Sequence, residues 1–209
     1  MKALVSLDLD GAIVKSEWID YIWNEAMPEL YAEQEGMDVE EAKQMFFRAY
    51  DEVGRGDIRW FLMPYWFERF GIRKDCREFI AERAHRIELY DDAIEALGYL
   101  HSAVISTNAP RELAEAEAEI IKGRIPDIDI LLYSAVSDFG MLKKDPAFYR
   151  SVFEDLKRRG LVEKPSDIAH IGDDYLNDYI APLKAGMSAY YLDRNRITLK
   201  ELMRVTGLI

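Results

Sequence analysis

The chain has 209 residues, 49% of them hydrophobic and 32% charged, with a formal net charge of −12. That length and apolar content suit one large domain, or one domain carrying a smaller insertion, and exclude wholesale disorder. The acidic balance argues against a nucleic-acid surface, and any site for an anionic substrate must bring its own positive charge.

Residues 2–8, KALVSLD, form a short apolar run with no polar face, as expected of a strand covered on both sides. Between residues 16 and 88 the character changes to four helical patterns with no convincing strand. SEWIDYIWNEAMPELYAEQEG has apolar residues at helical spacing and stops at Gly36. DVEEAKQMFFRAYDEVGRG opens on an acidic turn and closes on glycines. DIRWFLMPYWFERFG is rich in aromatics, with Pro64 expected to kink it. KDCREFIAERAHRIELY completes the block and carries the lone cysteine, Cys76, which reads as a small helix residue.

Beyond residue 90 the pattern alternates. A helix YDDAIEALGYL leads to a strand AVIST, a helix APRELAEAEAEII, a strand DILLYS and a helix PAFYRSVFEDLKRRG. A strand DIAHIGD, a helix LNDYIAPLKAG and a strand SAYYLD follow. Such alternation predicts an α/β protein: a three-layer, Rossmann-like parallel sheet with helices on both faces. The helix-only block after the first strand reads as a small cap, so residues 1–15 and 89–209 form the expected core and 16–88 the expected cap. One cysteine leaves no internal disulfide framework, and no run of about 18–20 apolar residues could span a bilayer. The expectation is a soluble cytoplasmic protein.

The chemistry gathers at strand ends. The first strand ends at Asp8, with Asp10 two residues on, the second at Thr107 and Asn108, and the fourth at Gly172 and Asp173. In an open parallel sheet ligands bind outside the carboxyl ends of the strands, so these polar ends predict one convergent site. Two carboxylates one residue apart at the end of an apolar strand are costly to bury without a cation between them. Taken alone, though, Asp10 could be an N-terminal helix cap, and the acidic run GDDYLND at 172–178 could be capping chemistry too. The aromatic stretch IRWFLMPYWF reads first as core and second as a pocket lining. His85, His101 and His170 form no ligand cluster, and His170 reads as a packed strand residue.

Four short motifs stand in order: DLDGA at 8–12, ISTN at 105–108, Lys143 in GMLKKDP, and GDDYLND at 172–178. With them the chain resembles the haloacid dehalogenase superfamily of hydrolases, in the branch with a helical cap inserted after the first motif. Two positions depart from the family pattern: Ala12 replaces a usual threonine, and Lys144 replaces the proline that usually follows the motif lysine. The resemblance implies that Asp8 is a nucleophile forming an aspartyl-phosphate and that Asp10 is the general acid and base. It implies Mg²⁺ held by the Asp8 side chain, the Asp10 backbone carbonyl and Asp173, with Asp178 a direct ligand or an orienting group and Asp174 beside them. Thr107, Asn108 and Lys143 would bind the phosphate, and Lys143 would also keep Asp8 ionised. Lys143 is preferred to Lys144 on its spacing from Gly140 and to Pro146.

The expected activity is hydrolysis of a small phosphorylated metabolite, with neither nucleic acid nor membrane as partner. A phosphomutase, a 2-haloacid dehalogenase and a non-catalytic phospho-ligand-binding module are the alternatives. Asp10 weighs against the dehalogenase, because a halide needs no proton to leave.

Overall fold

A computed structural model describes residues 3–209. After β1 (Leu4–Leu7) come helices only. α1 (Ser16–Tyr21) runs through a π-helical stretch (Ile22–Ala26) into α2 (Met27–Glu35), and α3 (Val39–Val53), α4 (Met63–Phe70) and α5 (Cys76–Arg83) follow. Beyond α6 (Asp91–Leu97) the elements alternate as β2 (Ser102–Thr107), α7 (Arg111–Arg124), β3 (Asp129–Ser134), α8 (Ala135–Phe139) and α9 (Pro146–Arg158). β4 (Ile168–Gly172), α10 (Ala181–Lys184), β5 (Ser188–Tyr191) and α11 (Leu199–Val205) complete the chain.

The five strands are all parallel, in the order β3-β2-β1-β4-β5. The chain therefore winds outward from β1 in both directions, and the connections diverge at the carboxyl ends of β1 and β4, where such sheets form a crevice. This is the Rossmann-like α/β fold expected from the alternation. Both faces are covered, which explains why the strands read as unbroken apolar runs. Leu7, Ile105 and Ile171 belong to a buried cluster that continues into Trp18, Ile22, Phe46, Trp66 and Phe79 of the helical block. Val104 and Ile168, one residue out of phase, pack against Phe148, Tyr149, Val152 and Leu156 on the other face.

The helical block is held by its aromatic residues. Phe46 stacks on Phe70 with centroids 3.8 Å apart, and Tyr50 meets Trp66 edge-on at 4.7 Å. Its entering and leaving connections lie side by side. Val14 bridges Leu89 antiparallel, Lys15 N–H donates to Glu88 O at 2.9 Å, and Tyr90 N–H donates to Ile13 O at 2.9 Å.

One local expectation changes, and two short helices join the expected elements. Pro64 does not kink a helix; a 3₁₀ turn (Ile58–Phe61) ends at Leu62, and Pro64 sits in the first turn of α4, where its missing N–H has no intrahelical partner to lose. α8 is a five-residue helix too short to show a period. α11 begins at a capping box in which Thr198 Oγ1 accepts Glu201 N–H, the structural form of a T-x-x-E signal in the sequence. No helix among the described residues is long and apolar enough to cross a membrane.

Candidate active site

Asp8 directly follows β1, and its backbone N–H still donates to Ile171 O of β4 at 2.8 Å, so the ladder itself delivers the side chain to the rim of the sheet. Asp8 Oδ1 accepts Leu9 N–H at 2.8 Å and lies 2.6 Å from Lys143 Nζ. Both contacts fall on one oxygen, and Oδ2 is committed to neither. Lys143 comes from the loop between α8 and α9; it is 1% exposed, and its Nζ is also 2.6 Å from Asp178 Oδ1. Asn108 Oδ1 accepts the Lys143 backbone N–H at 2.9 Å, which ties that loop to the end of β2. Lys144 is exposed. Thr107 Oγ1 accepts Ala109 N–H at 3.0 Å, leaving the hydroxyl hydrogen for a ligand.

Two glycines make room for the acids. Gly11 has φ +77°, and a Cβ there would run into the Asp173 carboxylate. A Cβ on Gly172 would meet the Asp178 carboxylate in the same way. Asp8, Asp173 and Asp178 each offer a carboxylate oxygen, all within 4.8 Å of one another. Such a donor set, hard oxygens only, suits Mg²⁺ better than a softer metal. Asp178 is the most engaged of the three. Its Oδ1 meets Lys143 and, at 3.0 Å, His170 Nε2, while its Oδ2 accepts Asp174 N–H at 3.0 Å. The Asp10 side chain stands outside the group. Asp174 caps the turn that follows it, accepting the N–H groups of Leu176 and Asn177 at 2.9 and 2.8 Å.

The electrostatics follow from one ammonium among several carboxylates. Burial alone would lower the Lys143 pKa, but Asp178 and Asp8 more than reverse this and hold it above its usual value. Asp178, despite its own burial, is kept well below the carboxylate range by Lys143 and His170. Asp8 is pushed up by burial and by Asp178 against the pull of Lys143, and burial and Asp178 raise Asp173 as well. Burial lifts Asp10 to about 7, with Asp173 and Asp20 adding to it and Lys143 opposing. Without a metal, then, protons do part of the neutralising that a divalent cation would do. Asp10 Oδ1 is also buried with no hydrogen-bond partner. The three converging carboxylates and the raised proton affinities of Asp8 and Asp173 fit a divalent cation; the unpaired Asp10 oxygen is not part of that group.

A cleft of about 420 Å³ opens over these groups, walled on the helical-block side by Ile19, Trp23, Arg55, Trp60 and Phe61. Trp60 lies 6.0 Å from Trp23 and 5.0 Å from Phe61, and the Arg55 guanidinium sits 5.1 Å over its ring. The aromatic stretch thus divides: Met63, Trp66 and Phe67 are core, whereas Trp60 and Phe61 are partly exposed and face the cleft.

Three residues here escaped the sequence reading. His170 is not merely packed but hydrogen-bonded to Asp178. Glu117 on α7 is fully buried; its Oε1 accepts Trp18 Nε1–H at 2.8 Å, and burial followed by the charge of Asp10 pushes its carboxyl well up. Arg194 reaches the carbonyls of Gly11, at 3.3 Å, and Ala12, and pairs with Asp92 at 2.7 Å, bracing the loop below Asp10. Nothing local marks these roles: the partners of Glu117 and Arg194 are distant in sequence, and His170 meets Asp178 only across the turn that follows β4.

The chain is similar to known proteins in sequence and in fold. Residues 2–186 match a family model described as haloacid dehalogenase-like hydrolase. The chain is 28% identical over 155 residues to the GMP/IMP nucleotidase YrfG of Escherichia coli K12, covering 72% of this chain and 67% of that one. Among solved structures, a HAD phosphatase from Thermococcus onnurineus superposes with a TM-score of 0.79 at 22% identity, covering 99% of this chain and 98% of that one. The HAD-hydrolase YfnB from Bacillus subtilis, solved with magnesium, superposes with a TM-score of 0.65 at 16% identity, covering 99% and 100%. At these identities the two structures speak for the fold.

Proposed function

The chain belongs to the haloacid dehalogenase-like hydrolase family, and from that premise we propose that it is a Mg²⁺-dependent phosphatase working through a phosphorylated Asp8. Asp8 Oδ2, free of the contacts that hold Oδ1, attacks phosphorus. The P–O bond to the substrate alcohol breaks as Asp10 gives its proton to the leaving oxygen. Asp10 then takes a proton from a water that attacks the same phosphorus, and the P–O bond to Asp8 breaks to release phosphate. Lys143 steadies Asp8 throughout, and Thr107 donates to a phosphoryl oxygen. Mg²⁺, held by Asp8, the Asp10 carbonyl and Asp173, would neutralise phosphate charge, with Asp178 anchoring Lys143 beside it.

The observation that carries this reading is the division of labour at the rim. Asp8 has one oxygen pinned and one free, and Asp10, two residues on, lines the cleft half-buried, with burial pushing its pKa up to about 7. An acid so tuned serves an alkoxide leaving group and has no use in expelling a halide. Residues 16–88 would act as the cap that closes over the site and excludes water. Nucleoside monophosphates are the first substrate class to examine. The E. coli relative is a GMP/IMP nucleotidase, and Trp23, Trp60 and Phe61 offer a surface on which a base can stack.

Asp8→Asn tests the proposal. It should lower hydrolysis of p-nitrophenyl phosphate by about a thousandfold or more with the circular dichroism spectrum unchanged. Retained turnover would overturn the assignment.

A further inference from the structure

Behind Lys143 and Asp178 runs a chain of buried polar side chains that the proposed reaction does not use directly. Ser106 of β2, Ser6 of β1 and His170 of β4 are each at most 1% exposed, in the face of the sheet that packs against Tyr149. Ser106 Oγ and Ser6 Oγ are 3.1 Å apart, Ser6 Oγ and His170 Nδ1 2.8 Å, and His170 Nε2 and Asp178 Oδ1 3.0 Å. Tyr149 Oη lies 3.1 Å from the same Nε2.

For a neutral imidazole, hydrogen on Nε2 satisfies each of the closer contacts. Tyr149 O–H donates to Asn177 O at 2.8 Å, the shorter of its two acceptor contacts, the other being Asp178 Oδ1 at 3.3 Å; Tyr149 Oη then accepts from Nε2–H, and that hydrogen is shared with the Asp178 carboxylate. Nδ1 then carries a lone pair and accepts Ser6 O–H, while Ser6 Oγ accepts Ser106 O–H. Polar groups buried this deeply are costly unless all are paired, and apolar residues could fill a sheet face at less risk. What the chain adds is direction: it ends on the oxygen that holds Lys143.

We propose that His170 is a positioning residue for the nucleophile, locking the Asp178 carboxylate through Nε2–H so that Asp178 holds Lys143 against Asp8. This rests on the reading of Asp8 as nucleophile and goes beyond it in assigning a role to a residue that touches no substrate. With His170 in place the carboxylate is fixed at both ends, Oδ1 by Lys143 and His170 and Oδ2 by Asp174 N–H. Without the imidazole hydrogen, Asp178 gains a rotation, and Lys143 moves with it away from the 2.6 Å contact to Asp8.

Two conservative variants separate positioning from packing, because the amide nitrogen of Gln stands where Nε2 does and that of Asn where Nδ1 does. His170→Gln should keep kcat on p-nitrophenyl phosphate within about threefold of wild type. His170→Asn should lose about tenfold to a hundredfold in kcat, the worth of a hydrogen bond to a charged group, with KM within about threefold. The two variants should melt at similar temperatures. Nitrogen-15 NMR of the wild-type imidazole should show hydrogen on Nε2 and a bare Nδ1. Equal kcat losses that follow the loss of melting temperature, or a hydrogen on Nδ1 instead, would overturn the proposal. A wild type that releases no phosphate fails the phosphatase reading instead, and the imidazole tautomer then decides this arrangement by itself.

Discussion

At the scale of single residues the site is a problem of charge and protons. Lys143 balances Asp178 fully and Asp8 partly, so Asp10 and Asp173 keep raised proton affinities until a cation arrives. The role of Asp10 as acid can be isolated by the leaving group. In single-turnover transfer to Asp8, read as release of the alcohol, Asp10→Asn should slow an alkyl phosphate by about 10²–10⁴-fold and p-nitrophenyl phosphate much less, because p-nitrophenolate leaves without a proton; the later hydrolysis of the aspartyl-phosphate, which also uses Asp10, should slow alike for both. Equal losses on both esters in the transfer step would count against the assignment. Gly11 gives a second handle. Gly11→Ala forces a side chain into both a positive φ and the space of the Asp173 carboxylate, so it should shrink the rise in melting temperature on adding Mg²⁺. A full-sized Mg²⁺ response in that variant would remove Asp173 from the binding group.

At the scale of elements, the helical block joins two kinds of surface in one short segment. The 3₁₀ turn at Ile58–Phe61 presents Trp60 and Phe61 to the cleft, and α4, starting beside Pro64, turns Trp66 and Phe67 into the core. Trp60 is therefore the residue through which the block would select the leaving alcohol. A nucleoside 5′-monophosphate and ribose 5-phosphate release the same kind of primary alcohol and differ in the base. Their kcat/KM ratio isolates stacking, worth about 1–3 kcal/mol per base, or about fivefold to over a hundredfold. Trp60→Ala should reduce that ratio while leaving ribose 5-phosphate hydrolysis close to its wild-type rate. An unchanged ratio would place base recognition elsewhere.

At the scale of the whole molecule, a net charge of −12 and a rim of buried acids make stability depend on what neutralises them. Asp10 is lifted from 3.8 to about 7, and Asp8, Asp173 and Glu117 are also raised. The folded metal-free protein therefore binds more protons than the unfolded chain between about pH 4 and 7, and its stability falls as pH rises across that window. Asp178 works the other way, but its contribution is lost only below about pH 4, outside the window; His170, its pKa lowered by burial, also opposes the trend up to about pH 6.5, one group against the four raised acids. Scanning calorimetry in chelator should show the melting temperature falling from pH 5.5 to 7.5. Saturating Mg²⁺ should raise it more at 7.5 than at 5.5, since metal and protons compete for the same oxygens. A Mg²⁺ shift independent of pH would refute that competition.

How much of this the amino-acid sequence determined by itself follows from the range of each interaction. The alternation of strand and helix, the helix-only block and the gathering of Asp8, Thr107 and Asp173 at strand ends were legible, because periodicity and turn chemistry act over a few residues. The four motifs in order carried the family. The tertiary structure alone decided which aromatics line the cleft and which are core, that Asp178 is taken up by Lys143 and His170, and that Arg194 braces the loop under Asp10. It alone joined Ser6 to His170, 164 residues apart, and Trp18 to Glu117, 99 apart. Hydrogen bonds and burial of that kind depend on which side chains share a volume, and volume is assigned only when the layers pack.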